Sequence, residues 1–254
     1  MKKGLLVLFT LFVSMAVCFT DEDKICIPDK IYMETVTPIN GNLSYTFVSY
    51  SSKKLNSNAD YFFGVVEIQS EKEPKYIYNV PIYAIKIDKQ PEEWMFISKI
   101  EFKDKQTITI TDGENHIFEL NINTFEVKCI NTKNNLFKFV YPGEKYECIS
   151  GNVNKLYEKN FEKIVTKNAK NKYTGTQSEV KKLTKLEDIV NVAEQALFEI
   201  YGKDNIRDEQ PYRISKYKNK WIVQGSLQKE NLGGVFEIII NAETSQIESV
   251  IHGE

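Results

Sequence analysis

The sequence is poor in the residues that build common catalytic and metal sites. It has only two histidines, His116 and His252, and four cysteines, none of them in a Cys-x-x-Cys pair. The histidines lie far apart and have no ligand spacing, so we do not expect a zinc site. No pair of carboxylates stands out for acid–base chemistry either. We therefore expect no cofactor, no metal and no enzymatic activity.

The chain also lacks an excess of positive charge. Its formal net charge is -2, and no basic stripe with interleaved aromatic residues offsets this balance. Proteins that bind nucleic acid by neutralising phosphates need such a surface, so nucleic acid is not an expected partner. What the chain does have is 42% hydrophobic and 27% charged residues. This composition is typical of a folded protein with a sizeable core.

The N-terminus has the features of an export signal. Lysines precede an apolar run from Leu5 to Val13 that is too short to span a membrane. We assign residues 1–18 to a signal peptide or a lipoprotein signal, with a retained anchor as the alternative. Residues 15–18 resemble a loose lipobox in which Cys18 would be lipidated and attach the protein to a membrane. We expect an exported protein, in the periplasm or at the outer membrane as a lipoprotein.

Three cysteines remain in the expected mature chain, namely Cys26, Cys129 and Cys148. An oxidising envelope permits one disulfide among them and leaves one free thiol. The sequence leaves all three pairings open.

Residues 25–150 are predicted to form a β-rich domain of unknown function. Short β-branched and aromatic segments alternate with polar turns, as in Thr107 to Thr111, where the isoleucines share one face. The segment from Tyr76 to Ile87 contains Pro81, and proline favours an edge strand or a break. Such closely spaced strands indicate an antiparallel sandwich, a barrel or a strongly curved sheet.

Residues 151–182 are predicted to be a basic helix followed by a linker. Four lysines recur every four residues, on a different side from an apolar stripe. A charge run of this kind is more often a solvated helix face than a site for an anionic partner, so we interpret it as solvated. The segment from Asn168 to Ser178 has the composition of a linker. The lysine row consists of Lys155, Lys159, Lys163 and Lys167.

Residues 183–254 are predicted to form a small α+β domain. The segment Thr184 to Glu187 matches a capping box, and apolar residues at helical spacing follow from Ile189 to Ile200. Gly202 is expected to end this helix in a left-handed conformation. The strands after it indicate a helix packed on a curved antiparallel sheet. The chain is therefore classed as α+β, with a mostly antiparallel β domain first and this smaller domain second.

Several short motifs occur in a fixed order in this C-terminal region. They are Ala193-Glu194, Ile200-Tyr201-Gly202, Gln210-Pro211-Tyr212, Trp221-x-x-x-Gly225, Gly233-Gly234-Val235 and Ile251-His252-Gly253. In this order they resemble the bacterial immunity proteins with a nuclear-transport-factor-2-like (NTF2-like) fold. The resemblance covers about residues 185–254 and implies a cystatin-like or NTF2-like sheet. The family often has a glycine in the last turn, where this chain has Thr244-Ser245-Gln246.

The resemblance implies a function by binding alone. Members of this family protect bacteria from secreted toxins by binding and blocking them, so the implied partner is a protein, a cognate toxin. Two alternatives remain. The stretch from Val235 to Val250 also resembles the last hairpin of PepSY-type inhibitory domains. NTF2-like folds also host small enzymes, but the strand faces here offer an apolar core without an acid or a base.

The residues of the motifs are interpreted as structural. Trp221 is expected in the core under the helix, with a partner-facing position as the alternative. The glycines of the motifs are expected to permit bulges or positive φ angles at strand ends. His252 has no evident partner and is interpreted as a packing or capping residue. The structural set is Pro211, Tyr212, Trp221, Gly225, Gly233, Gly234, His252 and Gly253.

The partner contacts are predicted on the polar loop between Gly225 and Gly233. Binding residues concentrate on loops that a rigid scaffold holds in place. A phosphate-binding loop is disfavoured, because no Lys-Ser pair or helix start follows the glycines. The predicted contact residues are Ser226, Gln228, Lys229, Glu230 and Asn231.

Overall fold

The computed structural model is rich in β-structure, as predicted, with a few helices. It describes residues 31–32, 39–51, 61–86, 97–112, 115–131, 136–141, 144–149, 153–227 and 234–253. The signal segment with Cys18 lies outside these ranges. The strands are β1 Ile31–Tyr32, β2 Ile39–Asn40, β3 Leu43–Ser51, β4 Tyr61–Ser70, β5 Tyr76–Lys86, β6 Ile97–Phe102, β7 Thr107–Asp112, β8 Ile117–Asn121, β9 Val127–Cys129, β10 Leu136–Tyr141, β11 Glu144–Ile149, β12 Tyr212–Tyr217, β13 Lys220–Gln224, β14 Phe236–Asn241 and β15 Ile247–His252. The helices are α1 Val153–Glu158, α2 Glu162–Asn168, α3 Leu186–Tyr201 and α4 Lys203–Arg207.

A large sheet joins the N-terminal and C-terminal parts of the chain. Its main order is β1-β3-β4-β5-β12-β13-β14-β15, with β2 beside β3 and the β10–β11 hairpin attached to β5. The pairs are antiparallel except β5 with β12, which run parallel. The sheet therefore continues across the predicted boundary near residue 182, and that boundary stays a prediction.

A smaller sheet of β6, β7, β8 and β9 packs on the large one. Ile108 and Ile110 of β7 are fully buried, which confirms the predicted alternation in this strand. The ring of Phe118 packs against Tyr83 at 5.9 Å between centroids. Cys129, at the end of β9, is a free thiol, whereas the side chains of Cys26 and Cys148 lie outside the described residues.

The expectation that Pro81 marks an edge strand or a break is wrong, because β5 is continuous and central. It pairs with β4 on one side and with β12 and β11 on the other. Pro81 lies where the register against β4 shifts by one residue. On the other side it falls between the β12 pairing, which ends at Tyr78, and the β11 pairing, which begins at Ala84. A proline is tolerated there because bulges interrupt the hydrogen-bond ladder.

The two faces of the large sheet carry separate cores. One face packs against α3 and the small sheet, through residues such as Trp221 and Val223. The other face packs against the basic helical segment, through residues such as Ile222. This division follows from the strand period of two, which sends successive side chains to opposite faces.

Helix α3 differs from its prediction at both ends. The prediction of a capping box is wrong. The helix begins one residue later than expected, so Lys185 is the N-cap residue, and no side chain caps the helix. Ile200, the last residue of the predicted apolar stripe, is 48% exposed. Gly202 ends the helix with a positive φ of 85°, but its ψ of 147° places it outside the predicted left-handed helical conformation, and its N–H donates to the Phe198 carbonyl at 3.1 Å. The short helix α4, which was not predicted, follows at once.

The basic segment forms α1 and α2 with a 3₁₀ turn between them at Lys159–Phe161. The four lysines of the row are exposed, in agreement with a solvated face. The segment predicted as a linker lies along β15. There the Tyr173 N–H donates to the Glu248 carbonyl at 3.0 Å, and the Gln177 amide exchanges two hydrogen bonds with the Ile247 backbone. It thereby covers part of an edge strand.

The last turn, between β14 and β15, contains Ser245. This residue is fully buried and has a φ of 57°, a conformation that glycine adopts without strain. Its hydroxyl lies 2.5 Å from the Glu179 carbonyl oxygen and accepts the Lys181 N–H at 3.3 Å. The serine thus gains hydrogen bonds to the covering segment that a glycine could not make. Among the described residues, none of the helices has the length and apolar character needed to cross a membrane.

Candidate partner-binding site

The predicted contact loop joins β13 to β14 at one end of the large sheet. The structure describes its base, Ser226 and Leu227 on one side and Gly234 and Val235 on the other. Ser226 is half-buried, and Leu227 is 53% exposed, an apolar side chain available to a partner. The other predicted loop residues lie outside the described ranges, namely Gln228, Lys229, Glu230, Asn231 and Gly233.

Glu209 is the residue that connects the two sides of this loop base. Its backbone oxygen accepts the Ser226 N–H at 2.7 Å. Its side-chain Oε2 accepts the Phe236 N–H at 2.9 Å, on the opposite side of the loop. No local pattern in the sequence points to Glu209, because its side-chain partners lie 27 and 43 residues away. Glu209 therefore holds the point where the chain leaves the sheet with its backbone carbonyl, and the point where the chain returns with its carboxylate.

His252 is the second partner of this carboxylate. Its Nε2 lies 2.7 Å from Glu209 Oε1, and its Nδ1 lies 2.8 Å from the Gly253 carbonyl oxygen. The ring also packs on Tyr201, at 5.0 Å between centroids. The expectation that His252 lacks a carboxylate partner is wrong, whereas its role as a packing or capping residue stays a prediction. Since both ring nitrogens face acceptors inside the protein, the ring serves to tie the C-terminus to the loop base.

The glycines of the motifs allow close approach of neighbouring groups, and the expected positive φ is wrong for Gly225 and Gly234. Neither has a positive φ. A Cβ on Gly225 would lie 2.0 Å from Glu209 Oε2. A Cβ on Gly234 would lie 2.1 Å from the Cα of Gly253. Gly225 thus leaves room for the Glu209 carboxylate, and the absence of side chains at Gly234 and Gly253 lets their backbones lie in contact.

The Gln210-Pro211-Tyr212 motif supports the loop base from below. The Pro211 carbonyl accepts the Ser226 hydroxyl at 2.6 Å, and the Gln210–Pro211 peptide bond is cis. The Tyr212 hydroxyl donates to Glu194 Oε1 at 3.0 Å in a buried contact with α3. Burial raises the pKa of Tyr212 above its ordinary value, and the nearby Glu194 carboxylate adds to the effect. The motif is structural, as predicted.

Trp221 lies in the core, as predicted, and the partner-facing alternative is wrong. The side chain is only 3% exposed and lies on the sheet face under α3. Its Nε1 donates to the Leu183 carbonyl at 3.3 Å, and its ring meets Tyr78 edge-on at 5.8 Å. A buried indole with a satisfied N–H anchors the helix to the sheet.

The chemistry of this site is that of a scaffold. The oxygens of Glu209 and the ring nitrogens of His252 are occupied by contacts within the protein. Within the described ranges, no group of three or more histidine, cysteine or acidic residues could hold a metal ion. The arrangement can hold a loop in a fixed position at the end of a rigid sheet.

Comparison with known proteins bears on the C-terminal region. Residues 189–254 match the model of a family described as NTF2 fold immunity protein, which confirms the resemblance predicted from the motifs. The chain is also 34% identical over 55 residues to the uncharacterized protein YhhH of Escherichia coli (strain K12). That alignment covers 21% of this chain and 43% of the relative, so the chain spans less than half of the relative's length. No solved structure matches the chain.

Proposed function

We propose that this protein is an exported immunity protein that neutralises a cognate toxin by binding it, without catalysis. The observation that carries the proposal is the match of residues 189–254 to the NTF2 fold immunity family. The geometry of the loop base agrees with a binding role, because its polar groups are used to fix the loop in place.

The loop between β13 and β14 is the proposed contact surface. Glu209 accepts the Ser226 N–H with its backbone carbonyl and the Phe236 N–H with its carboxylate, so the ends of the loop are held before any partner arrives. A loop with fixed ends loses less conformational freedom on binding than a free one, which favours affinity. The exposed Leu227 supplies an apolar contact beside the polar residues 228–231. A mixture of this kind is common at protein–protein interfaces.

The proposed place of action is the cell envelope. The apolar run from Leu5 to Val13 predicts export, and Cys18 offers a lipid attachment point if the lipobox is used. The protein would then meet its toxin in the periplasm or at the outer membrane. Mass spectrometry of the N-terminal peptide from envelope fractions separates cleavage from lipidation. Recovery of the uncleaved chain from the cytosol would contradict export.

Co-purification with the toxin encoded beside its gene tests the function most simply. We expect the mature protein to retain the toxin, and the double variant Lys229→Ala, Glu230→Ala to retain less of it. The matched control is Glu126→Ala, Lys128→Ala, which makes the same change of charge at exposed positions next to β9. Equal loss in both variants would contradict the loop as the contact surface. Inhibition of a neighbouring peptidase without toxin binding would instead favour a PepSY-like inhibitory module.

A further inference from the structure

A cleft of about 870 Å³ opens on the sheet face opposite α3. Its floor is formed by β4, β5 and the C-terminal strands, and its wall by the 3₁₀ turn and α2. The lysine row of the basic segment reaches this cleft at Lys163 and Lys167, whereas Lys155 and Lys159 do not line it. The row interpreted as a solvated face therefore has two members that border a concave surface.

A row of side chains crosses the floor of the cleft in register. Arg213 on β12 lies directly opposite Gln224 on β13, which lies opposite Glu237 on β14. The row continues to Ile251 on β15, and on the other side to Ile77 on the parallel neighbour β5. Directly opposite residues point to the same face of a sheet, so the five side chains form one line across five strands.

Arg213 is the cation in this line, and its charge is not paired with a carboxylate of any residue the structure describes. Glu237 accepts a hydrogen bond from Gln224 at 2.9 Å and lies 3.9 Å from Lys167. Glu67, which is 1% exposed at the back of the cleft, accepts from Gln69 at 2.5 Å. Arg213 is exposed and makes no ion pair or side-chain hydrogen bond with any residue the structure describes. A free guanidinium between satisfied carboxylates selects for an added carboxylate, which it can bind in a bidentate manner.

The cleft and the proposed contact loop are continuous. Gln224 is the last residue of β13 before the loop, and Val235 is the residue that leads from the loop into β14. Both line the cleft, as does Gly253 at the C-terminus. A partner that contacts the base of the loop at Gln224 and Val235 therefore also meets the mouth of the cleft.

We infer that the cleft receives an extended acidic segment of the toxin, with a carboxylate of that segment on Arg213 and others near Lys163 and Lys167. The inference rests on the proposed function, since it names the part of the partner that the site recognises. Four strand spacings separate β5 from β15, roughly 19 Å, which about six extended residues would span. Apolar groups on the floor and wall, including Ile77, Ile164 and Ile251, would accept the side chains between the acidic ones.

Peptide binding tests the chemistry of the cleft without the toxin. The probe is a fluorescein-labelled hexapeptide of alternating glutamate and leucine, compared with its glutamine counterpart by fluorescence anisotropy on the full mature chain. We expect the acidic peptide to bind more tightly, with an affinity that falls as salt is added. The Arg213→Gln variant should lose roughly ten- to a hundredfold in affinity, because a charge-assisted pair is removed. Equal binding of the two peptides would overturn the inference.

Matched variants locate the effect within the lysine row. Lys163→Gln, Lys167→Gln should weaken the acidic peptide and flatten its salt dependence, whereas Lys155→Gln, Lys159→Gln should leave both unchanged. Arg213→Lys keeps the charge but loses the bidentate geometry, so it should lie between Arg213→Gln and the unsubstituted protein. Circular dichroism and the melting temperature establish that each variant is folded. Equal losses from the two lysine pairs would contradict a site in the cleft.

The same variants measured against the toxin separate this inference from the function on which it rests. If the unsubstituted protein binds the toxin and Arg213→Gln weakens that binding by tenfold or more, both the immunity function and the cleft inference stand. If Arg213→Gln binds the toxin as tightly as the unsubstituted protein, the cleft inference fails and the immunity function stands. If the unsubstituted protein does not bind the toxin at all, the proposed function fails and this inference fails with it.

Discussion

The two faces of the C-terminal strands differ sharply in composition and exposure. Under α3, strands β13 and β14 present apolar side chains that are at most 3% exposed, namely Trp221, Val223, Phe236, Ile238 and Ile240. On the opposite face, Ile222 and Ile239 are buried next to the basic helices, whereas Arg213, Gln224 and Glu237 in the cleft are polar and reach solvent. The residues most diagnostic of the fold are thus unavailable to a partner. The proposed recognition surface is therefore the loop together with the polar end of the opposite face.

Truncation of Trp221 tests this division with the largest expected effect. We expect Trp221→Ala to lower the free energy of unfolding by about 3–5 kcal/mol, because a large cavity opens between α3 and the sheet. Arg213→Ala, on the other face, should change it by about 0.5 kcal/mol or less, as is usual for exposed positions. Chemical denaturation followed by circular dichroism measures both. Similar losses of stability in the two variants would contradict the division into a buried core face and an exposed recognition face.

Alkaline pH probes the core beneath the basic helices. Burial raises the pKa of Tyr157 from 10.0 to about 12. The folded state therefore holds this proton more tightly than the unfolded state. The resulting stability is fully present below pH 10 and is lost as the pH rises towards 12. Near pH 11.5 the loss should be about 2 kcal/mol relative to Tyr157→Phe, which has no such proton. Denaturation curves of both proteins at neutral and alkaline pH measure it, and parallel pH profiles would contradict the assignment.

The close contact between the Gly234 and Gly253 backbones makes the loop base sensitive to an added side chain. Gly234→Ala would place a Cβ 2.1 Å from the Cα of Gly253, and neither backbone can move away cheaply. We expect a loss of about 1–3 kcal/mol in the free energy of unfolding. Gly175→Ala is the control, because its Cβ would meet only the end of the Tyr173 side chain, which can rotate away. A Gly234→Ala variant with an unchanged free energy of unfolding would show that the Gly234 and Gly253 backbones are not in contact.

The smallest expected effect on stability concerns the Glu209 carboxylate, which accepts the Phe236 N–H and contacts His252. Glu209→Gln keeps an acceptor for the Phe236 N–H but weakens the contact with His252, so we expect a loss of about 1 kcal/mol. Hydrogen exchange should show faster exchange of the Phe236 amide, whereas the Ser226 amide, which donates to the Glu209 backbone carbonyl, should change less. Glu199→Gln, an exposed change on α3, should leave both amides unaffected. Unchanged protection in Glu209→Gln would mean that this carboxylate does not hold the loop.

Local patterns in the sequence predicted much of the fold correctly. The alternation in β7 and the burial of Trp221 follow from the strand period, and the stop at Gly202 follows from its backbone freedom. The order of the C-terminal motifs carried the family resemblance, which residues 189–254 confirm. Each of these signals lies within a few neighbouring residues, where propensity and periodicity operate.

What the sequence did not predict depends on contacts between distant segments. The parallel pairing of β5 with β12 unites the two halves of the chain, and no local pattern specifies it. Glu209 and Arg213 have unremarkable neighbours, and their importance comes from strands that meet them in space. The lysine row was read correctly as exposed, but helical spacing alone could not show that two of its members border a cleft.

The most direct test of the account is hydrogen exchange of the mature protein with and without the toxin encoded beside its gene. We expect slower exchange in the complex at residues 224–237, which include the loop and line the mouth of the cleft. We expect little change in the small sheet of β6 to β9. Slower exchange confined to that small sheet, or no change anywhere at saturating toxin, would contradict it.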